Sequence, residues 1–170
     1  PPDLREHCLK MAGHMLHLSG KVDSVSTGSE LASKTLKDGT AFQELLKMVS
    51  AQGGDTNYID NPEQLDKAKI ISTVKSPKDG FLSRMDAINI GKAAVMLGAG
   101  RERKNDPIDL AVGIVLHQKV GSRINAGDPL FTIHANKPET TNPATEEALA
   151  GIDITMEKSP ALPLHYDLIE

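Results

Sequence analysis

"LGAGRERKND", from Leu97 to Asp106, sets two glycines around an alanine and places Arg101, Arg103 and Lys104 directly after them. A phosphate cradle needs its glycines after a strand and before a helix, so that free N–H groups and the positive helix end meet the anion. Here the order is reversed. The preceding "AINIGKAAVML" has helical spacing, with Ile90, Ala94 and Leu97 on one face and Asp86 placed to cap its start. The stretch that follows, 108–116, is strand-like. A helix C-terminus presents carbonyl groups and favours cations by roughly 0.3–1 kcal/mol. The three cations therefore read as the solvated end of a helix. No Gly-Lys-Ser/Thr follows at the Walker spacing.

Outward from that loop the pattern is α+β. "KIISTVKS" (69–76) and "FLSRM" are strands joined by the turn "SPKDG". "DLAVGIVLHQKVGSRI" mixes a buried-type run with an alternating one, bent at Gly113 and Gly121. "NAGDP" is a turn and "LFTIHA" a strand. Asn142-Pro143 opens a last helix that reaches Ile152, and "SPALPLHYDLIE" closes as an edge strand, where prolines are tolerated. Strand, strand, helix, strands, helix is not a regular βαβ series.

The first fifty residues are helical instead. Leu4, Cys8, Met11, Met15 and Leu18 recur at three- and four-residue steps, with Leu9, Ala12 and Leu16 widening the face, and Gly20 ends this helix. Thr27 with Glu30 signals a second helix that stops near Gly39. Thr40 with Gln43 signals a third, with Phe42, Leu45, Leu46 and Val49 inward and Gly53-Gly54 at its end. No strand separates these helices, so their apolar faces need a partner surface, and a bare face promotes association. The expected organisation is a helical segment at 1–57, a polar linker at 58–68 and an α+β domain at 69–170.

Composition narrows the function. The 170 residues hold 19 Lys+Arg against 23 Asp+Glu, a net charge of −4, with the signs interspersed. No basic stripe offers a nucleic-acid footprint, and three Phe, two Tyr and no Trp make no stacking platform. One cysteine excludes an intrachain disulfide and a thiolate metal cluster. No apolar run approaches the roughly 20 residues of a membrane span. The opening "PPDLREHCLK" has neither a signal region nor an initiator Met and reads as an internal starting point. The expected compartment is a reducing cytoplasm.

No catalytic or metal-binding set emerges. His14 and His17 share a helix face, but no Asp or Glu sits one turn away to complete a metal site. His117 and His134 end strand-like runs, where edge or core positions are the default; His7 and His165 complete the histidines. Cys8 reads as packed and inert, and Met11, Met15, Met48, Met85 and Met96 as core filler. Glu146 and Glu147 are adjacent on a helix and point apart, so they form no acid/base couple.

"SPKDGFLSRM" and "VGSRINAGDPLFTIHA" resemble the two arms of the hammerhead found in biotinyl and lipoyl carrier domains. Such carriers present a modifiable lysine in a tight hairpin between the arms. Here Lys92 is mid-helix and Lys104 lies in the Arg-rich loop, so the carrier or docking module is the alternative with the topology but not the hairpin. An anion-binding module using Arg101 and Arg103 is a third reading.

Three stretches together carry a closer resemblance: "DLREHCLKMAGHML", "AAVMLGAGRERKNDPIDLAVGIVLHQKVGSRINAGDPLFTIHA" and "LHYDLIE". From Asp3 to Ile169 the chain resembles the C-terminal part of the pyrimidine-nucleoside phosphorylases, which include thymidine phosphorylase. The resemblance implies that 1–57 is the tail of the family's α/β domain and 69–170 its α/β-hammerhead domain. It implies a pentosyltransferase that converts nucleoside and phosphate to pyrimidine base and (deoxy)ribose 1-phosphate. Phosphate is then the co-substrate, with no cofactor and no metal. The family's phosphate-binding segment, its base-binding Arg, Ser and Lys, and its dimerisation helices match no position here. The resemblance therefore implies no catalytic and no substrate-binding residue in this stretch. It implies a structural fragment, inactive alone, whose partner is the upstream part of the same homodimeric cytoplasmic enzyme.

Overall fold

The computed structural model describes residues 1–101 and 103–169. Pro1–Gln64 group with the chain from Leu164 onward, and Leu65–Pro163 form a second unit.

In the first unit, α1 (Pro2–Leu18) opens with a proline in its first turn, where no N–H is needed. Gly20, at φ 69°, turns the chain beyond its end. In α2 (Val25–Lys37) the Ser24 hydroxyl accepts the Thr27 N–H at 3.1 Å. Ser24, not Thr27, is therefore the cap, because the earlier hydroxyl closes one more turn. Similarly, α3 (Thr40–Ala51) starts from Gly39 and not from Thr40. The Asp38 carboxylate takes both the N–H and the hydroxyl of Thr40, and this lowers the Asp38 pKa. A short helix, α4 (Asn57–Asp60), and a 3-10 turn at Pro62–Gln64 occupy the expected linker.

Close approach of two glycines packs α1 on α2. A Cβ on Gly28 would stand 2.7 Å from the Gly13 carbonyl oxygen, and one on Gly13 2.5 Å from the Val25 carbonyl oxygen. The face that meets α2 is therefore built around Gly13, with Leu9, Ala12 and Leu16 half-buried beside it. The expected inward row is bare instead. Leu4, Cys8 and Met11 are exposed, Met15 is 66% exposed and Leu18 84%. Of the four expected inward residues on α3, Phe42 and Leu45 are exposed and Leu46 and Val49 are partly covered. Of the five methionines read as filler, Met85 alone packs against the core of its unit.

The second unit holds β1 (Ile70–Lys75), β2 (Gly80–Met85), α5 (Ala87–Leu97), β3 (Gly113–Leu116), β4 (Arg123–Ile124), β5 (Pro129–Ala135), α6 (Pro138–Ala150) and β6 (Ile152–Thr155). Two antiparallel three-stranded sheets result, ordered β1-β5-β3 and β4-β2-β6. The fold class is α+β. Leu82 of β2, Ile124 of β4, and Phe131, Ile133 and Ala135 of β5 form one core with Ala93 and Leu97 of α5 and Ala144 and Ala148 of α6. Each large side chain there contributes about 1.5–3 kcal/mol by leaving water. The alanines bring α5 and α6 together.

Three sequence expectations are corrected here. The last helix begins at Pro138, so Pro143 lies inside it. Pro138 suits the first helical position, whereas Pro143 removes one N–H donor from the helix interior. Strand pairing covers 113–116 and not 108–116, because the Asp109 carboxylate accepts the Ala111 N–H at 3.0 Å and turns the chain. The last strand is β6, Ile152–Thr155, at one edge of its sheet, while 159–169 pairs with no strand.

The glycine contact sets a test. Gly28→Ala should lower stability by about 1–3 kcal/mol, the usual cost of overpacking. Urea unfolding followed by helical circular dichroism would measure it. An unchanged midpoint would show that α1 and α2 do not pack through these glycines.

Candidate functional site

The glycine loop follows α5 through local chemistry. Asp86 accepts the Ile88 N–H at 2.8 Å and starts the helix. Gly98, at φ 105°, ends it, and its N–H and that of Ala99 return to the Val95 and Ala94 carbonyls at 2.9 and 3.0 Å. A glycine is required at that left-handed turn. The Gly98 carbonyl then accepts the Asp109 N–H at 2.9 Å, closing the loop at its base. Inside the loop, Asp106 accepts the Arg103 N–H at 2.7 Å and returns its own N–H to the Arg103 carbonyl.

Arg101, Arg103 and Lys104 are exposed on this loop. Glu102, between them in sequence, lies outside the described residues. The cations stand beside the carbonyl end of α5 and share the loop with the carboxylates of Asp106 and Asp109. That arrangement disfavours an anion.

The polar centre of this region is Asp109, which sequence reading did not single out. Its Oδ2 accepts from Asn136 Nδ2 at 2.8 Å, and Asn136 Oδ1 accepts the Lys69 N–H at 2.9 Å. Asn136 follows directly on β5, and Lys69 directly precedes β1. One amide side chain thus ties the loop to the start of one strand and the end of another. The Asn136 hydrogen bond, then the Ala111 N–H, hold the Asp109 carboxyl below its ordinary pKa. Burial opposes them, and the charges of Lys137 and Lys69 add to the lowering.

A second polar group lies across the β1-β5-β3 sheet. His117 Nε2 meets Thr132 Oγ1 at 2.8 Å, and Thr132 Oγ1 meets Thr73 Oγ1 at 3.0 Å. His117 is exposed and His134 half-buried on β5. Arg84, also missed from sequence, clamps β2 to β6. It donates to Asp153 Oδ2 at 2.6 Å and to the Ala150 carbonyl at 2.9 Å. The Asp153 hydrogen bond raises its pKa.

The remaining candidates are dispersed. His17 Nδ1 donates to the Val22 carbonyl at 3.2 Å, while His14 lines a groove with Met11 and Leu18. His7 stacks on His165. Cys8 is exposed, not packed, because α1 turns Gly13 and not Cys8 toward α2. Glu147 accepts from Asn89 at 3.0 Å, whereas Glu146 is exposed, so the two acids do point apart. Lys92 sits mid-helix on α5, and Lys104 in the loop. Neither occupies a tight hairpin between two sheet arms. Among the described residues, no three His, Cys, Asp or Glu side chains gather for a metal. Among them too, no helix is long and apolar enough to cross a membrane.

Residues 81–155, which run from β2 to the end of β6, match the family described as the pyrimidine nucleoside phosphorylase C-terminal domain. The pyrimidine-nucleoside phosphorylase of Geobacillus stearothermophilus is 38% identical over 169 residues, covering 99% of this chain and 39% of that protein. Its counterpart in Staphylococcus epidermidis RP62A is 40% identical over 139 residues, 82% of this chain and 32% of that protein. The Staphylococcus aureus USA300 protein is 37% identical over the same length. The chain thus spans at most 39% of the length of these relatives.

The Asp109 network has a pH signature. A depressed carboxylate pKa adds stability that is present above the unfolded value, near pH 4, and is lost as pH falls below it. Asn136→Ala should raise the Asp109 pKa toward the ordinary carboxylate range, read by carboxyl NMR titration. It should also flatten the acid limb of the stability curve. An unmoved Asp109 titration would remove Asn136 as the cause.

Proposed function

We propose that the chain, whose residues 81–155 match the pyrimidine nucleoside phosphorylase C-terminal domain, is a C-terminal portion of that family and completes an enzyme which splits a pyrimidine nucleoside with phosphate. The products are the free base and (deoxy)ribose 1-phosphate. One observation carries the reading: similarity runs along 99% of this chain but reaches only 39% of the relative that bears the name.

Within that enzyme this portion acts as scaffold. No catalytic, substrate-binding or metal residue is assigned to it, and phosphate is a co-substrate of the complete protein with no further cofactor. The α+β domain supplies a wall that packs on the rest of the enzyme and moves with it as the cleft closes. The uncovered row on α1, with Met15 and Leu18 bare, supports an upstream segment of the same enzyme as the partner. Homodimerisation then belongs to that upstream part. A cytoplasmic setting agrees with the single cysteine. The interspersed charge supports no nucleic-acid role.

Assayed alone, the chain should release no uracil or thymine in the presence of phosphate. Joined behind the upstream portion of the Geobacillus stearothermophilus enzyme, it should support turnover. Rates in the ordinary enzyme range of roughly 1–10³ s⁻¹ from the chain alone would contradict the scaffold assignment. Phosphate titration should leave the protein and its Arg101→Ala variant indistinguishable. A shift present in the protein and lost in the variant would favour an anion site on the loop.

A further inference from the structure

Segment 164–169 belongs to the helical unit yet pairs with no strand. Two features hold it. The imidazole of His165 stacks on that of His7 from α1, with centroids 5.1 Å apart and planes 19° from parallel. Beyond the stack, Tyr166 and Leu168 join Met11, His14, Leu18 and Val25 in lining a groove of about 720 Å³. The His165 Nε2 atom is shut off from water and meets no hydrogen-bond partner among the described residues.

The titratable groups around the stack are mixed in sign. On α1 they comprise Lys10, His7 and His14, with the Glu6 carboxylate opposing. Asp3 lies one turn before His7 on the same helix. The segment brings Asp167, and α2 brings the uncharged Val25. Loss of water around the ring, then Lys10, then His7, hold the His165 pKa below the ordinary histidine value.

We propose that the His7–His165 stack is a pH-operated latch: with His165 neutral, segment 164–169 is held against α1 as one wall of the groove, and protonation of His165 at mildly acidic pH releases it. A charged His165 ring meets the repulsion of Lys10 and His7. A charged ring would also hold an N–H away from water beside Lys10. The sign follows from the depressed pKa. The neutral stack contributes fully above the free-histidine value near pH 6.5, and its contribution is lost as pH falls below that. Release opens the groove around Met11 and Val25, so the latch controls how much apolar surface the helical unit presents.

The test follows the backbone amides of 164–169 by NMR in the 170-residue chain from pH 7.5 to 5.5. Seated and free positions are defined with a chain ending at Pro163 and the matching free peptide. The ratio of seated to free segment should fall about ten-fold across that range. In the double variant His7→Phe, His165→Phe the rings still stack and carry no charge, so the segment should stay seated at both pH values. Three results would overturn the latch. These are a segment already free at pH 7.5, a pH-dependent release that persists in the double variant, and a double variant that fails to seat at pH 7.5.

Discussion

Strand β5 is the member on which the α+β unit depends. It is hydrogen-bonded on both edges, to β1 and to β3. Its side chains Phe131, Ile133 and Ala135 enter the core shared with α5 and α6. The strand ends one residue before Asn136, whose amide holds both the glycine loop, through Asp109, and the approach to β1, through Lys69. The register of one strand therefore fixes the core and also where the loop stands.

The helical unit is built on a different economy. Two glycines let α1 and α2 touch backbone to backbone, which binds the pair but buries few large side chains. No residue of α3 is fully buried. Leu4, Met11, Met15, Leu18, Phe42 and Leu45 remain in contact with water. A helix pair with that much bare apolar surface has incomplete packing as it stands. The chain spans 39% of the length of a relative that matches it along 99% of its own.

Local chemistry was legible in the sequence. Asp86 capped a helix and Gly98 ended one, because each acts within a few residues of its own position. The α+β class, the first two strands and the family likeness were legible for the same reason. Choices between neighbouring signals were not. Ser24 and Thr27 are both caps by composition, and only geometry showed that the earlier one closes the helix. Strand β6 was hidden by its four-residue length, although Ile152 and Ile154 alternate. The Asp109–Asn136 bond joins residues 27 apart, and the His7–His165 stack joins still more distant ones, so no spacing rule reaches them. Periodicity finds the apolar row on α1 but cannot say which side of the helix a neighbour covers.

The glycine loop shows the same division between local and distant causes. Its position after a helix argues against a phosphate cradle, and its hydrogen bonds in the fold are those of a closed turn held at its base. The loop lies within the stretch, 81–155, that matches the pyrimidine nucleoside phosphorylase C-terminal domain. The central claim is that 65–163 holds a core of its own, whereas α1, α2 and α3 leave apolar rows uncovered. Native-state hydrogen exchange on the chain alone tests this most directly. Amides of β5 and α5 should exchange only through global unfolding, and those of α1, α2 and α3 at least about a hundred-fold faster. Equal protection in both sets would contradict the account.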